Sequence, residues 1–113
     1  MPYIKTTTNV KIDTAKADII KAKFGRAIEA FPGKSEGWLM LSFADESAMY
    51  FKGSSEPCAI AEVSLYGSVN PAAANNMTAQ ITDILSSELS IAPARIYVKY
   101  DGIENWGWNG ANF

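Results

Sequence analysis

This sequence of 113 residues contains no histidine, and its single cysteine is Cys58. The absence of histidine removes the most common general base and the most common metal ligand of enzymes. One cysteine cannot form an internal disulfide or a thiolate zinc cluster. Neither a Ser-His-Asp nor a Cys-His site can therefore be built from one chain. If the protein is an enzyme, its base must be a carboxylate, a lysine, a tyrosine, Cys58 or the N-terminal amine.

Charged residues and long apolar segments are also scarce. The formal net charge is -2, which argues against nucleic-acid binding, because proteins of that class carry a basic face. No apolar run approaches the roughly 20 residues of a membrane span, and the N-terminus lacks the apolar segment of a signal peptide. We expect a single domain over residues 1–113 that is made in the cytoplasm, and any export would need a route without a signal peptide.

Strand-forming and helix-forming segments alternate along the chain in two similar halves. In each half a strand precedes an amphipathic helix, and a second strand follows it. The strands are predicted at PYIKTTTNV (2–10), WLMLSF (38–43), CAIAEVSLYG (58–67) and RIYVKY (95–100). The apolar stripes of the two helices are Ile20, Phe24, Ala27, Ile28 and Phe31, and Met77, Ile81, Ile84, Leu85 and Leu89. Helix starts are indicated by Asp13 or Thr14 in the first half and by Asn70 with Pro71 in the second.

Two strand–helix–strand repeats predict an α+β fold with a four-stranded mixed sheet that carries both helices on one face. The other face of the sheet would be bare, although an apolar run such as WLMLSF is typical of a strand buried on both sides. An exposed apolar face promotes aggregation, so we expect other subunits to cover it. The segments AMYFKG (48–53) and NWGWNGANF (105–113) are interpreted as extra edge pieces that join subunits.

Pro2 has two interpretations. Proline belongs at the first residue or the edge of a strand, so Pro2 can simply begin an edge strand. Alternatively, removal of Met1 would leave the secondary amine of Pro2 as the N-terminus, and that amine can act as a base. Position alone favours the structural interpretation.

A set of short motifs is more specific. They are MP at the start, TNV at 8–10, GK at 33–34, GSSEPCA at 53–59, RIYVKY at 95–100, GWN at 107–109 and a closing Phe113. In this order and spacing, with GSSEPCA the most specific, the chain resembles the macrophage migration inhibitory factor family of the tautomerase superfamily over nearly its whole length.

The resemblance implies a homotrimer in which three β-α-β-β-α-β subunits surround a central channel with their sheets inward. It also implies an active site at each subunit interface, where the N-terminal Pro2 exchanges protons between carbon and oxygen without a metal or cofactor. By the same resemblance, Lys34 binds the substrate carboxylate, and Tyr97 reaches into the neighbouring subunit's pocket to stabilise an enolate. Read without the family, Lys34 would be a solvated lysine after a helix end, and Tyr97 would be a core residue.

Aromatic residues are implied to form the pocket wall. Trp108 and Phe113 match wall residues of the family, and we expect Tyr3 and Trp38 to join them. Such a wall suits a substrate with a planar ring. The alternative for each of these residues is ordinary packing between subunits.

Three positions depart from the family pattern. Tyr66 stands where well-known members carry an isoleucine whose backbone amide holds the substrate, so the amide contact is retained and the larger side chain reshapes the pocket. Lys99 replaces an asparagine contributed across the interface and is expected to add a cation near the site. Cys58 is followed by AIA, so the family's Cys-x-x-Cys motif is incomplete and a dithiol oxidoreductase is disfavoured.

The sequence therefore predicts a keto–enol tautomerase of phenylpyruvate-type aromatic α-keto acids, with dopachrome-type isomerisation as a related reaction. The alternative is a secreted, cytokine-like protein that binds a host receptor and keeps a vestigial pocket. A dehalogenase or decarboxylase of the same superfamily is disfavoured, because the motifs match the cytokine branch. Nucleic acid and membranes are not expected among the partners.

Overall fold

The computed structural model describes all residues from 1 to 113, and its secondary structure comprises six strands, two α-helices and three short 3-10 turns. The strands are β1 (Pro2–Thr8), β2 (Met40–Ala44), β3 (Ala59–Tyr66), β4 (Ile96–Ile103), β5 (Gly107–Trp108) and β6 (Ala111–Asn112). The helices are α1 (Thr14–Ala27) and α2 (Pro71–Leu89), and the 3-10 turns are Ile28–Ala30, Glu36–Trp38 and Pro93–Arg95.

The four longer strands form one sheet in the order β2-β1-β3-β4. The pairs β1–β2 and β3–β4 are parallel, whereas β1 and β3 are antiparallel. A parallel pair needs a long crossover connection, and α1 and α2 provide one in each half. The predicted four-stranded mixed sheet made from two βαβ repeats is confirmed.

Local sequence signals explain where the helices begin. The Asp13 carboxylate accepts the N–H of Lys16 at 2.8 Å and so caps α1. The Asn70 side chain accepts the N–H of Ala73 at 2.9 Å, and Pro71 takes the first helical position of α2, where a missing N–H costs nothing. No helix of the structure is long and apolar enough to cross a bilayer.

The core lies between the two helices and one face of the sheet. Residues alternate along β1 and β3, so that Ile4, Ala61 and Val63 are fully buried while their neighbours are not. Both predicted helix stripes are buried, including Phe31, which follows α1 rather than lying within it. The apolar stripe of the first half therefore extends beyond the end of its helix.

The uncovered face of the sheet differs from the expectation of an apolar surface. Its central row crosses the four strands at Ser42, Lys5, Glu62 and Lys99, which are paired in register. The Lys99 ammonium lies 3.4 Å from the Glu62 carboxylate. The expectation was wrong for this row, whose side chains are polar. It holds beside the row, where WLMLSF packs Leu41 and Phe43 on the core and leaves Met40 exposed.

The GSSEPCA motif forms a loop between β2 and β3 that two side chains fasten to the sheet. The Arg95 guanidinium donates hydrogen bonds to backbone carbonyls of the loop, at Phe51, Ser54, Glu56 and Pro57, over 2.9–3.1 Å. The Asn9 side chain donates to the carbonyls of Ser55 and Glu56 and accepts the N–H of Cys58. The motif's polar contacts are therefore structural.

The two predicted edge pieces differ in structure. The AMYFKG segment contains only an isolated bridge between Phe51 and Ser54, whereas the C-terminal segment contains the β5–β6 hairpin.

One ion cluster joins the two helices and leads to a stability prediction. The Glu88 carboxylate on α2 contacts Lys23 and Lys16 of α1, and their hydrogen bonds lower the pKa of Glu88 below its usual 4.5. A carboxyl with a lowered folded-state pKa stabilises the fold at neutral pH, and this contribution is lost as the pH falls below 4.5 through the folded pKa. We therefore expect Glu88→Gln to lower the melting temperature by a few degrees at neutral pH, and to have little effect in strong acid.

Thermal unfolding followed by circular dichroism at both pH values checks this expectation. Asp83→Asn is the matched control, because Asp83 lies on α2, is exposed and forms no ion pair within 4.0 Å. An equal destabilisation by Glu88→Gln at both pH values would show that the charge of Glu88 is not what stabilises the helix pair.

Candidate active site

The largest cavity, of about 870 Å³, lies at the end of the sheet where β1 begins. It contains Pro2, Tyr3, Trp38 and Trp108, so the structure brings four of the predicted site residues together. The remaining lining residues are Met1, Gly37, Leu39, Met40, Leu41, Ser42, Ser64, Ile103, Trp106 and Gly107. A mostly apolar cavity with a few polar groups is the usual form of a small-molecule site.

Pro2 is buried and is the first residue of β1, opposite Leu65 of β3. Proline is tolerated there because the first strand residue need not donate to the sheet. This placement fits the structural interpretation of Pro2 and also sets its nitrogen at the cavity wall. The two interpretations are therefore compatible.

Lys34 places a cation beside the N-terminus. The residue follows Gly33, whose φ of +80° is readily adopted only by glycine, and its N–H donates to the carbonyl of Phe31 at 3.1 Å. Burial lowers the pKa of the Met1 α-amino group from its usual 8.0, and the Lys34 ammonium lowers that pKa further. Both effects disfavour a second positive charge at this end of the cavity.

The backbone amide of Tyr66 is aimed at the same end of the cavity. Its N–H donates to the carbonyl oxygen of Met1 at 3.0 Å and so extends the ladder between β1 and β3 by one residue. In a chain that begins at Pro2, this donor has no Met1 carbonyl to bind. Without Met1, the Tyr66 N–H is free to donate to another oxygen atom at this position.

Four aromatic rings form a continuous series that begins in the cavity with Trp38 and Trp108 and continues outside its lining. Trp38 packs edge-on against Trp108 with ring centroids 5.1 Å apart, and Trp108 stacks on Phe113 at 6.3 Å. Phe113 in turn contacts the Tyr66 ring at 5.3 Å. The β5–β6 hairpin holds Trp108 and Phe113 in place, with the Phe113 N–H bonded to the carbonyl of Trp106 at 3.0 Å. Offset and edge-on ring contacts of this kind favour binding of another planar ring.

Hydroxyl groups on the uncovered sheet face complete the lining. The Tyr3 and Ser42 hydroxyls are hydrogen-bonded at 2.7 Å, and Ser64 lies beside Tyr3 in register on β3. Sequence reasoning did not select Ser42, Ser64 or Trp106. The period-2 alternation along β2 and β3, and the position of Trp106 beside Trp108 in one hairpin, are the signals that would have found them.

Tyr97 and Lys99 lie away from this cavity. Tyr97 is opposite Ile60 in β3, five residues from the partner of Pro2 and two strands away, which separates the two Cα atoms by roughly 19 Å. The Tyr97 ring is exposed and packs edge-on against Phe51, with centroids 4.8 Å apart. Lys99 lies 3.4 Å from Glu62 and 3.9 Å from Asp101, so its charge is largely compensated within its own chain.

The family model, two relatives and two solved structures that match this chain carry the same family name. The sequence model of the family described as macrophage migration inhibitory factor (MIF) matches residues 1–113. A macrophage migration inhibitory factor homolog of Brugia malayi is 29% identical and macrophage migration inhibitory factor of Rattus norvegicus is 28% identical, each over 100% of this chain and 99% of the relative. The crystal structure of Leishmania major MIF2 superimposes with a TM-score of 0.94 and 34% identity, covering 100% of this chain and 97% of that one. The macrophage migration inhibitory factor of Toxoplasma gondii shares the fold, with a TM-score of 0.90 at 22% identity.

Proposed function

Because this chain belongs to the macrophage migration inhibitory factor family, we propose that it is a keto–enol tautomerase of phenylpyruvate-type aromatic α-keto acids, with dopachrome-type isomerisation as a related reaction. Family membership supports tautomerase and cytokine-like roles in general. The observation that favours the enzyme is the N-terminal amine, whose pKa is lowered by burial and by Lys34 at the end of an aromatic cavity.

The proposed base is the secondary amine of Pro2, which becomes free when Met1 is removed. Burial and the Lys34 charge lower the pKa of the Met1 amine, and we expect them to lower the pKa of the Pro2 amine as well, because its nitrogen lies one residue away. A lowered pKa leaves more of the amine neutral near pH 7, which is the form that accepts a proton.

In the proposed reaction, the Pro2 nitrogen takes a proton from the carbon next to the substrate carbonyl. The electron pair of that C–H bond forms a carbon–carbon double bond, and the carbonyl electrons move to oxygen. The proton then passes to the oxygen and gives the enol, and the reverse sequence gives the keto form. Lys34 and the Tyr66 N–H hold the substrate carboxylate, while Trp38, Trp108 and Phe113 contact the ring.

A homotrimer is part of this proposal. Tyr97 is too far from Pro2 to act in its own chain, so its proposed role, hydrogen bonding to the enolate oxygen, requires the partner subunit's Tyr97. The polar central row of the uncovered sheet face is compatible with a water-lined channel between three sheets. Lys99 lies in that row, and its pairing with Glu62 argues for a structural role there.

Replacing Lys34 tests the carboxylate contact. We expect Lys34→Ala to raise KM, because that contact exists in both the ground state and the transition state. Loss of one charge-assisted hydrogen bond costs roughly 1.5–3 kcal/mol, or about 10- to 100-fold in kcat/KM. Removal of the cation should also raise the pKa of the Pro2 amine, so the rise of kcat/KM with pH should move to higher pH. The measurement is phenylpyruvate turnover from about pH 5 to pH 9.

Lys99→Ala is the matched control, because Glu62 and Asp101 already compensate this second lysine. We expect its kinetics to stay close to wild type and the double variant to resemble Lys34→Ala. Normal kinetics in Lys34→Ala together with a large loss in Lys99→Ala would assign the carboxylate contact to Lys99. Absence of turnover by wild-type protein that begins at Pro2 would favour the cytokine-like role, which binding to a receptor ectodomain would then test.

A further inference from the structure

The loop that carries Lys34 and Trp38 packs on the core through Leu39 and lies over open space in its middle. It spans residues 32–39 between α1 and β2, and its Glu36–Trp38 segment is a 3-10 turn. A second cavity, of about 480 Å³, lies where this loop approaches α1 and is lined by Lys21, Glu36, Gly37, Leu39 and Leu41. The loop therefore has open space beneath it, into which it can shift.

The middle of the loop contacts α1 where the Glu36 side chain lies against Gly25. Gly25 is buried in the last turns of α1, where glycine is a poor helix former. A Cβ atom at position 25 would overlap the Glu36 carboxylate and lie 2.9 Å from Glu36 Cγ. Because Gly25 has no side chain, the Glu36 side chain can lie against the helix surface there. This contact site is called the seat of the loop.

The contact between Glu36 and Gly25 depends on steric fit more than on charge. Lys21 Nζ lies 3.5 Å from Glu36 Oε2, but their side chains keep 61% and 50% of their exposed area, and ion pairs so exposed contribute little. Glu36 is two residues from Lys34 and two from Trp38, so its position fixes the middle of the segment that carries both.

We propose that Gly25 and Glu36 are positioning residues, which seat the 32–39 loop on α1 and thereby set Lys34 beside the N-terminus and Trp38 against Trp108. The inference rests on the proposed function for its kinetic consequences. The seat itself is a property of this chain and has a readout that does not depend on turnover.

Gly25→Ala separates positioning from stability. The added methyl group displaces the Glu36 side chain, which is flexible and partly exposed, while alanine is the better helix former. The helix should therefore be at least as stable as before. The loop should lose its seat and shift over the cavity beneath it, which moves Lys34 away from the N-terminal amine and loosens the contact between Trp38 and Trp108.

The experiment uses protein that begins at Pro2 and four variants: Gly25→Ala, Glu36→Ala, the double variant and Glu29→Ala. Glu29→Ala is the matched control, because Glu29 is an exposed glutamate between α1 and the loop, forms no ion pair within 4.0 Å and does not line the cavity that holds Pro2. The first readout is the pKa of the Pro2 amine, from the pH dependence of its alkylation followed by mass spectrometry. The second is KM against kcat for phenylpyruvate, and the third is the melting temperature.

We expect Gly25→Ala and Glu36→Ala each to raise the pKa of the Pro2 amine and to increase KM, by less than the roughly 10- to 100-fold expected for loss of Lys34 itself. The double variant should resemble Glu36→Ala, because without the Glu36 side chain the methyl group has nothing to displace. Glu29→Ala should match wild type. A wild-type amine pKa in both Gly25→Ala and Glu36→Ala would overturn the inference. If wild type fails to turn over phenylpyruvate, the proposed function fails, and the amine pKa still decides the positioning role.

Discussion

Protein that retains Met1 is expected to turn over phenylpyruvate roughly 10²- to 10⁴-fold more slowly than protein that begins at Pro2, which is the usual contribution of a general base. With Met1 present, the Pro2 nitrogen belongs to an amide and has no basic lone pair. The Met1 carbonyl also occupies the Tyr66 N–H at 3.0 Å, and Met1 lines the cavity. Removal of Met1 therefore makes the Pro2 nitrogen basic, frees the Tyr66 N–H to donate and enlarges the cavity.

A single preparation can test this expectation. Met1-retaining protein is treated with a methionine aminopeptidase, and samples are taken for intact mass and for phenylpyruvate turnover. We expect activity to rise in proportion to the fraction of chains that have lost Met1. A chain extended by one alanine before Pro2 is the matched control and should remain inactive throughout. Equal turnover before and after cleavage would mean that a group other than Pro2 transfers the proton. The Met1 amine, whose pKa is lowered, would be one such group.

The architecture was predictable because its signals are local. Asn70 can cap a helix with its side chain, and Pro71 needs no N–H partner in the first helical position, so the two residues predict the start of α2. In the structure α2 begins at Pro71. The end of β1 was less predictable. It stops at Thr8 rather than Val10, because Asn9 turns its side chain to the loop carbonyls of Ser55 and Glu56, a contact between residues far apart in sequence.

The candidate site was predictable only in part, because strand register is not visible in one sequence. Lys99 was predicted to add a cation to a site across the subunit interface. Within its own chain its neighbour across the ladder is Glu62, and one residue of slip would have placed Lys99 on the other face of the sheet. Similarly, the pairing of the Tyr66 N–H with the Met1 carbonyl depends on the register of β1 against β3. The contact between Gly25 and Glu36 joins a helix to a loop, and nothing in the local sequence of either announces it.

Replacement of Tyr97 is the second change from which we expect a large loss of activity. Loss of one hydrogen bond to a developing oxyanion typically costs about 10²- to 10³-fold in kcat, and we expect this of Tyr97→Phe. Since Pro2 and Tyr97 of one chain are roughly 19 Å apart, a site that uses both residues has to combine Pro2 of one subunit with the partner subunit's Tyr97, as the proposed homotrimer does. Light scattering should then give about three times the chain mass of 12.3 kDa, and Tyr97→Phe should leave that mass unchanged.

Mixed trimers test this arrangement directly. One chain carries the alanine extension before Pro2 and an intact Tyr97, and the other begins at Pro2 and carries Tyr97→Phe. Each is nearly inactive alone. If they are unfolded, mixed equally and refolded, about a quarter of the interfaces should pair a free Pro2 with an intact Tyr97, because subunits of a ring meet head to tail. We therefore expect about a quarter of the activity of wild-type protein refolded in the same way. If both residues served the site of their own chain, no mixture would regain activity, because no single chain carries both intact.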